Sequence, residues 1–134
     1  MKKLVIALAL VLGCASWAWG KVYEVECQFS DVATYENEKG KTKLKTGKEK
    51  LLTKFIIDTS NSKAYMVGNN TTVEVSYLSS SRSLSFIEST PSGNLTTTTI
   101  FIDDDGECTA VHSRHIELMG AVLASQFYGI CRIR

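Results

Sequence analysis

The densest chemistry in the chain lies in one short run, Ala110-Val111-His112-Ser113-Arg114-His115. An imidazole and a guanidinium two residues apart can bind an anion or hold a carboxylate, and His112 with His115 has the H-x-x-H look of a metal pair. The surrounding pattern reads as a β-strand, on which residues three apart point to opposite faces. The two histidines therefore cannot chelate one ion together, and no metal site is expected. The same alternation sets Cys108, Ala110, His112, Arg114, Ile116 and Leu118 on one face, mostly apolar and hence inward. Cys108 and His112 share that face but stand about 13 Å apart along the strand, too far for a thiolate–imidazole pair. There is no G-x-S-x-G, no pair of carboxylates at a legible spacing and no glycine-rich phosphate loop. No catalytic residue and no cofactor are expected, and the chain reads as a non-enzyme.

An inward arginine needs a partner. In the run 83–89, Leu84, Phe86 and Glu88 share a face, which makes Glu88 the candidate acceptor for Arg114. Two readings follow. In one, His112, Arg114 and Glu88 form a polar pocket at a barrel mouth that binds an anionic or polar ligand. In the other, Glu88 and Arg114 are a structural ion pair closing one end of the core, with His112 hydrogen-bonded to backbone.

The elements that must position these residues are legible as short runs rich in Val, Ile, Thr, Tyr and Phe, separated by Gly, Asn, Ser and Asp clusters. Eight strands are expected, over residues 22–29, 51–58, 63–67, 72–79, 83–89, 95–103, 108–118 and 126–133. Breaks such as Ser60-Asn61-Ser62, Gly68-Asn69-Asn70 and Pro91-Ser92-Gly93-Asn94 are of hairpin length and tolerate turn geometry. Sequential antiparallel pairing follows, and closure removes both sheet edges, so the expected fold is all-β, a small antiparallel up-and-down barrel. The apolar string Met119-Gly120-Ala121-Val122-Leu123-Ala124 is expected as a loop or a turn of helix plugging one end. A long first loop over 40–54 carries Lys41, Lys43, Lys45, Lys48, Lys50 and Lys54 against Glu49. It reads as solvated; it could touch a phosphate-rich surface, but without interleaved aromatics it does not suit nucleic acid. Asp103-Asp104-Asp105-Gly106-Glu107 departs from the calcium-loop pattern and reads as a hairpin turn with a negative tip.

Alternation places Tyr23, Val25, Cys27 and Phe29 on the inward face of the first strand, and Phe127, Gly129, Cys131 and Ile133 on one face of the last. Closing the barrel makes these strands neighbours, so Cys27 and Cys131 are the expected disulfide. A hairpin centred near Val122 would set Cys108 about 16 Å out of register with Cys131, leaving it outside the bridge.

At the other end, Met1-Lys2-Lys3 and the apolar run 4–12 read as an export signal, with small residues at Ala18 and Gly20 suited to cleavage before Lys21. The segment is too short to span a membrane as a helix. Val11-Leu12-Gly13-Cys14 offers a competing reading, the lipobox of bacterial lipoproteins, in which Cys14 is lipidated. With residues 1–20 removed, 21–134 is one small domain, and loss of Lys2 and Lys3 takes the formal charge from +1 to −1. That balance gives no case for a nucleic-acid partner, and a membrane partner only if Cys14 is lipidated.

Together with 110–115, the stretch Ala124-Ser125-Gln126-Phe127-Tyr128-Gly129-Ile130-Cys131 resembles the C-terminal part of small exported bacterial proteins of uncharacterised activity. In architecture alone, the export signal, the small all-β domain and the cysteine bridge at the seam are similar to periplasmic barrels that inhibit c-type lysozymes. That likeness implies a loop bearing a serine and a basic residue, for which Ser79-Ser80-Ser81-Arg82 is the candidate. The expected function is an exported, non-catalytic binding or inhibitor-type barrel with an envelope protein as partner. The alternatives are a carrier for a small polar ligand held around Arg114 and a structural protein anchored through a lipid on Cys14.

Overall fold

The computed structural model describes residues 20–105 and 107–134. All but the last residue of the expected signal segment, Cys14 included, lies outside the described residues. Eight strands, β1 (Val22–Glu38), β2 (Lys41–Asp58), β3 (Lys63–Val67), β4 (Thr72–Ser79), β5 (Ser83–Ser89), β6 (Leu95–Ile102), β7 (Cys108–Leu118) and β8 (Ala121–Ile133), follow in chain order. Each pairs antiparallel with the next, and β8 returns to β1, so the ring is closed. This is the expected up-and-down barrel. Among the described residues there is no helix.

Alternation drives the packing: Val25, Cys27 and Phe29 of β1, Phe55 and Ile57 of β2, Phe86 of β5, Ile100 of β6, Ala110 of β7 and Phe127 of β8 are all buried. Phe55 and Phe86 stack across the interior with ring centroids 4.0 Å apart. The middle of the barrel is therefore filled by side chains, as suits eight strands.

Cys27 stands opposite Cys131 in the β1–β8 register and the two are bonded, closing the ring covalently at its seam. Such a bridge is consistent with an oxidising compartment. Cys108 does not stand where a hairpin centred near Val122 would put it. The β7–β8 turn lies at Met119-Gly120 and not near Val122, and its register pairs Thr109 with Ile130, which carries Cys108 to the level of Cys131. Cys108 packs against the core beside the bridge, and burial pushes its thiol pKa up. It stays outside the bridge for reasons other than distance along the strand.

Two further expectations change at one end of the ring. Residues 40–54 are not a loop: Gly40 closes the β1–β2 turn and 41–54 all belong to β2, whose first half pairs with an equally long tail of β1. Residues 119–124 contain no helical turn, because β8 already begins at Ala121. The four strands β2, β1, β8 and β7 thus overshoot their neighbours as a projecting sheet. A register shift between Phe29 and Asp31, on both sides of β1, marks where it leaves the barrel body. Both of its hairpins end in two-residue turns with positive φ: Lys39 at 50° with Gly40 at 79°, and Met119 at 51° with Gly120 at 80°. These are type I′ turns, which favour Asn-Gly; a lysine or a methionine in the left-handed position costs about 1 kcal/mol.

Candidate functional site

The registers of β5 to β8 and β1 stack two rows of inward side chains at the projecting end. The lower row runs Phe86, Thr98, His112, Phe127 and Val32; the next runs Glu88, Thr96, Arg114, Ser125, Thr34 and, on β2, Lys45. The first row is apolar except for one threonine and one histidine. The second is polar throughout and forms a girdle around the barrel mouth.

His112 is 3% exposed and lies between the rings of Phe29 and Phe127, at 5.5 and 5.8 Å. Its Nε2 accepts a hydrogen bond from Arg114 Nε at 3.2 Å. The proton of the neutral ring must then sit on Nδ1, which donates to Thr98 Oγ1 at 2.7 Å. Burial, and after it the Arg114 charge, lower the His112 pKa to about 4. The imidazole is thus a neutral spacer, and it orients Arg114 as Phe127 does from below, with the guanidinium carbon 5.1 Å from the ring centre.

Sequence reasoning brings His112, Arg114 and Glu88 to one face, and the structure agrees, but it does not pair the two charges. Thr96 stands on the strand between them, and its hydroxyl donates to Glu88 Oε2 at 3.0 Å. Among the described residues, no carboxylate comes within 4.0 Å of Arg114, and the terminal guanidinium nitrogens have no protein partner. The expected structural ion pair is absent. The backbone bond expected for His112 is replaced by the Thr98 hydroxyl. On the far wall of the girdle, Thr34 and Ser125 share a hydrogen bond at 3.2 Å, and Lys45 pairs with Glu36 at 3.4 Å.

Thr96, Thr98, Ser125 and Thr34 are the members that sequence reasoning missed. The signal for two of them was present: in Thr96-Thr97-Thr98-Thr99, alternate hydroxyls must face inward, where only a polar partner satisfies them. His115 points outward and is exposed, away from His112. At the opposite end of the barrel, Arg82 pairs with Asp104 at 3.0 Å, and Asp105 caps the backbone of Glu107. The Ser79–Arg82 segment and the acidic turn therefore brace each other, far from Arg114.

The chain matches no protein-family model, no curated protein sequence and no solved structure.

The buried imidazole has a direct consequence for stability. Its folded pKa of about 4 lies below the unfolded value of 6.5, so the unfolded chain takes up a proton first as pH falls. The stability His112 contributes is whole above pH 6.5 and is lost progressively between pH 6.5 and 4, on the order of 3 kcal/mol in all. Urea unfolding at a series of pH values should show this slope in the wild type and a flatter one in His112→Gln. The partly exposed Glu24, Asp31 and Asp58 are held below the ordinary carboxylate range, chiefly by hydrogen bonds from Lys54, Lys48 and Ser60 respectively, so their losses fall at lower pH.

Proposed function

We propose that this is an exported, non-catalytic binding protein of the cell envelope that receives an anionic group at the Arg114 girdle. The observation behind the reading is an arginine oriented from two sides, by His112 and Phe127, with its two terminal nitrogens left without a protein carboxylate. A guanidinium placed so offers the planar fork that suits a carboxylate or phosphate. The hydroxyls of Thr96, Ser125 and Thr34 extend the same rim.

The packed core below leaves the mouth as the place for the ligand. That favours an acidic group displayed by an envelope protein, as an inhibitor-type partner would have it, over a small molecule enclosed in the barrel. The periplasm or cell exterior is the compartment that fits both the disulfide and the export signal. A lipid on Cys14 would anchor the same binding protein without changing its site.

A photoreactive residue in place of Thr96, irradiated in the native envelope, should give a discrete adduct that Arg114→Gln abolishes. An adduct of equal yield from position 82, at the opposite end, would place the working surface elsewhere.

A further inference from the structure

The two long hairpins end side by side. The register runs to Glu38 opposite Ala121, so the Lys39-Gly40 and Met119-Gly120 turns are neighbours at the far edge of the projecting sheet. Met119 is 100% exposed and Leu118 61%, with Val122 exposed on the outer side of the same tip. Around them stand Lys39, Lys41 and Lys43, all exposed and without an ion-pair partner among the described residues. The nearby acids are Glu38, Glu117 and Glu36, the last engaged with Lys45. Over 36–50 the chain carries six lysines against three glutamates.

We infer that this twin tip docks on an anionic phospholipid surface, with Leu118, Met119 and Val122 entering the interfacial layer and Lys39, Lys41 and Lys43 meeting lipid phosphates. Two independent observations point there. The charge pattern is that of an interfacial anchor, an apolar point ringed by cations. The backbone supplies the other: both turns hold a non-glycine residue at positive φ where asparagine would be easier, and the two side chains so placed are one cation and one exposed apolar group. A local rule broken twice at adjacent tips, with no packing gained in return, marks function more than folding. A protein partner fits less well, because a convex point of a few side chains falls far below the roughly 800 Å² that each side of a stable interface buries. The inference goes beyond the Arg114 reading and stands without it.

The test uses the purified protein with vesicles of phosphatidylcholine alone and of phosphatidylcholine mixed with phosphatidylglycerol. Cosedimentation should occur with the anionic vesicles and weaken with salt. In the double variant Lys39→Asn, Met119→Asn, binding should fall about tenfold while the unfolding midpoint rises, because both turns then have a preferred residue. Loss of binding therefore cannot be ascribed to misfolding. Absence of phosphatidylglycerol-dependent binding, undiminished binding by the double variant, or a wild-type dimer that the double variant abolishes would each overturn the proposal, the last assigning the tip to a second copy.

Discussion

Replacing Cys27 and Cys131 together by alanine lowers the unfolding free energy by about 4 kcal/mol. The bridge joins residues 104 apart in sequence and does so at the seam where β8 meets β1, the contact that turns a sheet into a ring. Cutting it releases the closure entropy of nearly the whole domain in the unfolded state. For a domain of this size, total stability is about 5–15 kcal/mol, so the loss removes a large share. Urea unfolding of the double variant against the wild type measures it. Cys108→Ala is carried in both proteins, because Cys108 is the one cysteine of 21–134 that the double variant would keep and it could link two molecules. A loss below about 1 kcal/mol would mean that the β1–β8 ladder holds the seam without the bond.

A single methyl at Gly129 should cost nearly as much. Gly129 faces inward opposite Phe29, just where β1 bulges, and an added Cβ would stand 2.7 Å from the Phe29 Cα and 2.8 Å from the Gln28 carbonyl carbon. These are backbone atoms and cannot rotate aside, so β1 and β8 must separate at the start of the projecting sheet. We expect Gly129→Ala to lose about 3 kcal/mol, the upper range for overpacking. Gly47→Ala is the control, since a Cβ there meets nothing within 4 Å and a glycine inside a strand gains little from its freedom. Thermal unfolding of the two variants should separate them clearly; equal midpoints would show that the seam can yield at no cost.

How much of this was legible depended on whether burial imposed the pattern. From β3 to β7 each strand puts one face on the core, so alternation and turn residues mark its place, and only β6 differs, by a residue at its end. The tail of β1 and the first half of β2 bury little, and Lys41-Thr42-Lys43-Leu44-Lys45 reads as solvated because both of its faces are. What makes it a strand is pairing with β1, a long-range contact that single-strand hydropathy does not report. A period-two alternation of lysine with threonine or leucine was nonetheless present. The inward placement of His112 and Arg114 followed from the same alternation that buries Ala110. The partner of Arg114 did not, because Glu88 shares its face but sits two strands away, a spacing that needs the register of β5, β6 and β7 together.

On the proposed reading, Arg114 is held ready for an anion from outside the protein. Titrating the isotopically labelled protein with inorganic phosphate and with succinate, followed by amide chemical shifts, tests it most directly. Saturable shifts centred on Thr96, Arg114 and Ser125 are expected, absent from Arg114→Gln. Shifts that never saturate, or that persist unchanged in Arg114→Gln, would contradict it and leave His112, Thr98 and Arg114 as a structural network sealing the end of the core.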